Sequence, residues 1–138
     1  MAADADRLAE LTNFAKRYTE AWCSRSAASV AAFFSPDGSL KVNESPVAVG
    51  PDSITEVAQS FMTAFPDLKV IMDGLELLGS GAVYRWSLIG TNIGPGGTGK
   101  RVHINGFERW TIGTDGLITE SKGFFEPVEY QRQLQVGV

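Results

Sequence analysis

The sequence predicts a single α+β domain, residues 1–138, in which an antiparallel sheet curls around an apolar pocket beneath N-terminal helices. Helix-type spacing of apolar residues is concentrated in the first half of the chain, and strand and turn patterns fill most of the second half. Such segregation of helices from strands is typical of α+β proteins. The length of 138 residues and the hydrophobic content of 43% are enough for one hydrophobic core.

Two helices are expected at the start of the chain. Apolar residues between positions 8 and 22 recur every three or four residues, which predicts one amphipathic helix. Ser26 is a residue type that favours the N-cap, and a second short helix is expected from it to Phe34. Residues 36–38, with the sequence Pro-Asp-Gly, predict a turn after this helix.

Two short strands and a third helix follow. Residues 39–43 and 46–49 read as strands. Pro51 suits the first turn of a helix, and the apolar residues over 54–65 show the clearest helical spacing in the chain. Pro66 ends this helix because its ring is incompatible with a helix interior.

The second half of the chain predicts four strands and one final helix. Turn signals and a glycine-rich stretch separate the strands, so we expect an antiparallel meander. The strands are expected from residue 68 to the turn at 79–81, and over 82–91, 100–112 and 117–125, and the last helix over 127–134.

The composition argues against several classes of function. The formal net charge is −4, whereas nucleic acids and anionic membranes are bound by basic surfaces. Cys23 and His103 are single residues of their types, so the chain cannot form an internal disulfide and lacks the ligands of an ordinary zinc site. Apolar runs are too short for a membrane span or a secretory signal, and we therefore expect a cytoplasmic protein.

The single histidine is expected on the outer face of the sheet. Along its strand, Val102, Ile104 and Trp110 share one face, whereas His103 and Arg109 share the other. The apolar face should point towards the helices. His103 would then face solvent or a partner subunit.

The same alternation places Glu108 on the apolar face. A carboxyl group buried there would have a raised pKa, which suits a general acid or base. Three alternatives stay open. A bulge near Gly106 could turn the side chain outward, Glu108 could form a salt bridge with Arg85 or Arg109, or it could lie at an exposed strand end.

A set of short motifs occurs in a characteristic order along nearly the whole chain. The motifs are Val49-Gly50-Pro51, Phe65-Pro66-Asp67-Leu68, Arg85-Trp86, Gly90-Thr91, Thr98-Gly99-Lys100, Asp115-Gly116-Leu117-Ile118 and Gln133-Leu134. This ordered set resembles the SnoaL-like polyketide cyclases, within the nuclear-transport-factor-2-like superfamily. The resemblance implies a cone-shaped α+β fold, a deep apolar pocket and a homodimer, which we expect to form through the outer sheet face.

The resemblance also implies a catalytic site. In such cyclases a carboxylate near the start of the last helix exchanges protons during an aldol closure, without metal or cofactor, and Glu126 occupies that position. From the residues alone, Glu126 fits equally well as a solvated carboxylate at a helix N-terminus. Arg85 or Lys122 would stabilise developing negative charge, and Glu108 is the reserve acid or base. The expected pocket walls are Trp22, Phe61, Phe65, Ile104, Trp110 and Phe125.

These residues lead to a hypothesis of a cofactor-free enzyme acting on a small hydrophobic molecule that bears a carbonyl group. A second hypothesis is a protein that binds a hydrophobic molecule in the same pocket and performs no chemistry. Ser121 and Lys122, which stand where the family commonly has His-Trp, favour this second hypothesis. A third is an interaction domain whose outer sheet face, with His103 and Arg109, carries the function.

Overall fold

The computed structural model describes residues 2–138, and side chains from residue 5 onwards. The helices are α1 (Ala2–Cys23), α2 (Ala27–Ala31), α3 (Gly50–Ala64) and α4 (Pro127–Val136). The strands are β1 (Phe34–Val42), β2 (Ala48–Val49), β3 (Lys69–Leu78), β4 (Gly81–Thr91), β5 (Arg101–Ile112) and β6 (Ile118–Phe125). The predicted α+β class is confirmed.

The six strands form one sheet in the order β2-β1-β6-β5-β4-β3. Strands β3 to β6 are the expected antiparallel meander, each paired with the next in the chain. Strand β1 lies parallel to β6 and antiparallel to β2, which makes the sheet mixed. Register shifts in β1, in β3 and between β5 and β6 add local bends, because an extra residue on one strand increases its twist.

The second helix and the segment after it differ in part from the expectation. Ser26 is the N-cap of α2, and its Oγ accepts a hydrogen bond from Ser29 N at 3.3 Å. The helix ends at Ala31. The predicted turn at 36–38 is wrong, because these residues lie inside β1, where the register to β6 shifts between Phe34 and Ser39. The turn-type residues are accommodated as an irregularity of the strand.

Helices α1 to α3 cover the inner face of the sheet. Helix α1 packs against β3, and α3 packs against α2 and β1. Tyr18, which is fully buried, makes edge-on contacts with Tyr84 of β4 and Trp110 of β5, at ring-centroid distances of 5.4 and 5.2 Å. Edge-to-face aromatic contacts of this kind contribute about 0.5–1.5 kcal/mol beyond simple burial, so they hold α1 firmly on the sheet.

Several family motifs meet at the junction between α3, β3 and β4. The carboxylate of Asp67 accepts hydrogen bonds from Thr91 N and Thr91 Oγ1, both at 2.7 Å. The backbone N–H of Thr91 is the first cause of the lowered pKa of Asp67. Gly90 lies directly under Phe65, since a Cβ added at Gly90 would come within 2.9 Å of Phe65 Cβ. These motif residues therefore stabilise a junction of the fold.

Helix α4 continues the hydrogen-bonding of β5 beyond the end of β6. The pairing of β5 with β6 stops at Gly106 and Phe125. Beyond that point, Gln133 Oε1 accepts a hydrogen bond from His103 N at 2.6 Å, and Gln133 Nε2 donates to His103 O at 3.0 Å. The side-chain amide of Gln133 thus takes the place of a peptide group, which explains why this glutamine is buried.

The helices that the structure describes include none with the length and apolarity needed to cross a bilayer.

Candidate active site

A cavity lies between the helices and the inner face of the sheet. Its lining residues are Trp22, Leu40, Val42, Val57, Phe61, Val70, Tyr84, Trp86, Leu88, Ile104, Glu108, Gly123, Phe124 and Phe125. The cavity has a volume of about 50 Å³ that water-sized molecules can reach. This volume is enough for a few waters.

Glu108 is the one carboxyl group among the described residues that line this cavity. Gly106 pairs in regular register with Trp86 on one side and with Phe125 on the other, so no bulge rotates Glu108 outward. Its side chain stays on the inner face, and the residue is only 8% exposed. The alternation that predicted an inward carboxyl group is confirmed.

Three neutral donors hold the Glu108 carboxyl group. Its Oε1 accepts hydrogen bonds from Tyr18 Oη at 3.0 Å, Trp110 Nε1 at 3.0 Å and Ser121 Oγ at 2.8 Å. Its Oε2 has only a longer contact of 3.2 Å with the same Tyr18 hydroxyl. The described residues include no cation within ion-pair distance of Glu108. The alternative of a salt bridge with Arg85 or Arg109 is therefore wrong.

Burial raises the pKa of Glu108, because the charged form loses its hydration. The hydrogen bonds from Trp110, Ser121 and Tyr18 oppose this effect without cancelling it. When the carboxyl group is neutral, its proton belongs on Oε2, since Oε1 is already the acceptor of three donors. Oε2 is thus the oxygen that is available to exchange a proton.

The donors are themselves fixed by the aromatic core. Burial, and next the charge of Glu108, raise the pKa of Tyr18 well above its ordinary value, so its hydroxyl keeps its proton. The Trp110 indole stacks on Tyr84, with ring centroids 4.9 Å apart and an interplanar angle of 13°. Thr19 Oγ1 donates to Ala15 O at 2.8 Å, so the hydroxyl of Tyr84 must be the donor in its 2.5 Å contact with Thr19. The Glu108 carboxyl group therefore sits in a rigid arrangement of oriented donors.

A second polar group in the cavity lining has no such partner. Trp86 lines the cavity, and its Nε1 is buried without a hydrogen-bond acceptor among the described residues. A buried donor without an acceptor costs about 1–3 kcal/mol.

The three other residues predicted for chemistry lie away from the cavity. Glu126 is exposed and is the N-cap of α4, with its side chain accepting a hydrogen bond from Val128 N at 3.2 Å. Arg85 is exposed and forms an ion pair with Glu76 at 2.9 Å. Lys122 is also exposed. Their catalytic roles stay predictions, and the structure does not bring them together with Glu108.

The predicted pocket walls are divided between two places. Trp22, Phe61, Ile104 and Phe125 line the cavity. Phe65 and Trp110 lie outside this lining. Phe65 packs beside Gly90 and Tyr130, and Trp110 holds the carboxyl group of Glu108. His103 is exposed on the outer side of the sheet, as expected.

Tyr18, Tyr84, Trp86 and Ser121 are members of the site that the sequence did not reveal. Tyr18 belonged to the apolar stripe of the first helix, where it is indistinguishable from any core aromatic residue. Ser121 carried one usable signal. It pairs with Trp110 across β5 and β6, and a register assigned to those strands would have placed its hydroxyl on the inner face.

Among the residues that the structure describes, no group of three or more His, Cys, Asp or Glu side chains is arranged to hold a metal ion. The polar atoms in the cavity wall and directly behind Glu108 are instead a carboxyl group, hydroxyls and indole N–H groups. Such a set can accept, donate and relay protons.

The motifs, the fold and the cavity agree with one family of proteins. A family model described as SnoaL-like polyketide cyclase matches residues 12–134. The chain therefore belongs to the SnoaL-like polyketide cyclase family, and the resemblance seen in its motifs is confirmed. No curated protein sequence matches the chain.

Solved structures share this fold over nearly their full length. A putative SnoaL-like polyketide cyclase from Jannaschia sp. CCS1 is 14% identical, with a TM-score of 0.79 and coverage of 94% of each chain. An NTF2-like protein of unknown function from Burkholderia pseudomallei K96243 is 15% identical, with a TM-score of 0.77 and coverage of 91% of this chain and 97% of that one. TerC, co-crystallised with polyporic acid, is 14% identical, with a TM-score of 0.76 and coverage of 91% and 98%. These similarities establish the nuclear-transport-factor-2-like fold.

Proposed function

We propose that the protein is a cofactor-free enzyme that moves a proton on a small hydrophobic molecule bearing a carbonyl group, with Glu108 as the acid and base. The observation that carries this proposal is the buried carboxyl group of Glu108 at the cavity, held by Tyr18, Trp110 and Ser121. A carboxyl group with a raised pKa is a stronger base than an ordinary one and still releases its proton readily.

The reaction would use both protonation states of Glu108. The carboxylate takes a proton from the carbon next to the substrate carbonyl, and the substrate becomes an enolate. Oε2 holds that proton and returns it either to another carbon, which gives isomerisation, or to the alkoxide formed when the enolate attacks a second carbonyl, which gives ring closure. When Glu108 is ionised, before it takes the proton and after it returns it, the three donors on Oε1 stabilise its charge.

The family and the fold support this class of chemistry. Membership of the SnoaL-like polyketide cyclase family favours proton transfer beside a carbonyl, and the crystallisation of TerC with polyporic acid favours an organic ligand. Glu126, which the resemblance designated, is less suitable, because its exposed side chain accepts a hydrogen bond from the first turn of α4. The proposal therefore moves the acid and base from Glu126 to Glu108.

Deuterium exchange tests the proposal without knowledge of the natural substrate. Enolisable aromatic ketones such as 2-tetralone are incubated with the protein in D₂O, and incorporation of deuterium beside the carbonyl is followed by NMR. We expect Glu108→Gln to slow the exchange about 100-fold or more, as is typical when a general acid or base is removed. Glu126→Gln is the matched control and should retain the rate. Full exchange by the Glu108→Gln variant would eliminate the proposed role.

A non-catalytic binding protein is the second candidate. It is favoured by the saturation of Oε1, since a carboxyl group with three donors on one oxygen can also be purely structural. The same experiment separates the two functions. A protein that binds the ketones but incorporates no deuterium into any of them would be a binding protein.

A further inference from the structure

The indole N–H of Trp86 is a buried donor for which the fold provides no acceptor. Nε1 is shielded from solvent and has no hydrogen-bond partner among the described residues. The N–H of Trp110, by contrast, donates to Glu108 at 3.0 Å. Buried N–H groups are nearly always paired, because burial removes their water partner. An acceptor from outside the chain would complete this site.

The position of the Trp86 indole is fixed by the sheet. Trp86 of β4 pairs with Gly106 of β5, and a Cβ added at Gly106 would lie 2.8 Å from Trp86 Cζ2. The indole therefore lies across β5 at a place that only glycine leaves open. Phe125 packs edge-on against the same indole, with ring centroids 6.0 Å apart. Trp86 Nε1, two bonds from Cζ2, is held close to Gly106.

Glu108 is the next inward residue along β5 after Gly106. Residues two apart on a strand point to the same face, and both Trp86 and Glu108 line the cavity. The wall around them is formed by apolar and aromatic side chains. The residues that line the cavity thus include one with an unused donor, Trp86, and one with a carboxyl group, Glu108, among mostly apolar side chains.

Resting on the proposed function, we propose that Trp86 Nε1 donates a hydrogen bond to the carbonyl oxygen of the substrate. An unused N–H selects a ligand atom that accepts hydrogen bonds. The aromatic side chains of Trp22, Phe61 and Phe125 select a flat apolar ring. Removal of the neighbouring proton places negative charge on the ketone oxygen, and the Trp86 hydrogen bond strengthens as that charge develops.

The assignment gives Trp86 the role that the sequence had assigned to Arg85 or Lys122. Both of those cations lie on the exposed side of the sheet. A neutral indole stabilises less charge than a cation does, but it needs no desolvation of an ion. The role is confined to binding and charge stabilisation, and Glu108 retains the transfer of the proton.

The test compares 2-tetralone with tetralin, the hydrocarbon of the same shape that lacks the oxygen. The chain has three tryptophans, so ¹⁵N-labelled protein gives three indole signals, and the Trp86→Phe variant identifies the one from Trp86. We expect 2-tetralone to move the Trp86 Nε1–H signal downfield and tetralin not to do so. Trp86→Phe should lower the affinity for the ketone about fivefold to tenfold relative to the affinity for tetralin, which is the net value of one hydrogen bond.

Three results would overturn the proposal. One is a wild-type protein that binds the ketone no more tightly than the hydrocarbon. The second is a Trp86 indole signal that does not respond to bound ketone, which is decisive even if the Trp86→Phe variant fails to fold. The third is a variant that loses affinity equally for both compounds.

The failure of this inference is distinguishable from the failure of the proposed function. If Trp86 responds to the ketone while Glu108→Gln retains deuterium exchange, the ketone site stands and the role of Glu108 falls. If Glu108→Gln abolishes exchange while the Trp86 signal does not change on addition of the ketone, the role of Glu108 stands and the ketone site at Trp86 falls.

Discussion

Ser121→Ala is expected to destabilise the protein more at high pH than at low pH. Ser121 Oγ donates to Glu108 Oε1 at 2.8 Å, and the residue is 1% exposed, so water cannot replace the lost donor. A hydrogen bond to a charged group contributes about 1.5–3 kcal/mol, against about 0.5–1.5 kcal/mol for a neutral pair. The penalty of the substitution should therefore grow by about 1.4 kcal/mol as Glu108 ionises, equivalent to a further rise of about one unit in its pKa.

The direction of this pH dependence follows from the linkage between protonation of Glu108 and folding. Because the pKa of Glu108 is raised in the folded protein, the stability that its neutral form contributes is complete below the ordinary value of 4.5 and is lost as pH rises through the folded value. Ser121 supports the charged form, so its removal deepens that loss. Urea unfolding of the wild type and Ser121→Ala between pH 5 and 9 measures the effect.

Ser87→Ala is the matched control for this measurement. Ser87 is also a buried serine on a strand, and its Oγ donates to a carboxylate oxygen of the exposed Asp73 at 2.6 Å. Its penalty should be constant over this pH range. A constant penalty for Ser121→Ala as well, or one that shrinks as pH rises, would refute the assigned coupling between Ser121 and Glu108.

Two further substitutions test the framework of the site and the cavity. Gln133→Ala removes both hydrogen bonds from α4 to the backbone of His103 and should lower the free energy of unfolding by about 2 kcal/mol. Gln135→Ala, at an exposed position of the same helix, is the control and should change it by less than about 0.5 kcal/mol. Equal urea midpoints for the two variants would contradict the role assigned to Gln133. At Gly123 an added Cβ would lie 3.5 Å from Lys41 O and 3.6 Å from Glu108 Cγ, so Gly123→Ala should fold normally. Its methyl group would occupy the cavity beside Glu108 and weaken binding of 2-tetralone about tenfold or more, and calorimetry showing unchanged affinity would count against the cavity as the binding site.

The fold was predictable because each of its elements carries a local pattern. Helical spacing marked α1 and α3, and alternation marked the long strands and sent Glu108 inward and His103 outward. The turn predicted at residues 36–38 is wrong, because pairing with β6 holds these turn-type residues inside β1. That pairing joins residues about 80 positions apart in the chain, and no local pattern contains it.

The site was predictable only where alternation was applied strictly. Arg85 stands between Tyr84 and Trp86, both of which point inward, so the period of two already placed Arg85 on the outer face. The catalytic role predicted for Glu126 rests on its position in the chain relative to a motif. A position along the chain does not specify where a side chain points. Tyr18 reaches Glu108 across 90 residues of sequence, a contact that requires the tertiary structure.

The protonation state of Glu108 decides whether its carboxyl group can act as both acid and base. Carboxyl ¹³C signals of the folded wild-type protein, with the Glu108 signal identified by its loss in Glu108→Gln, report the titration of this one group. We predict that Glu108 remains protonated above the ordinary value of 4.5 and titrates at a clearly higher pH. Titration at or below 4.5 would show that the three donors outweigh burial, and Glu108 would then be a permanently ionised structural carboxylate.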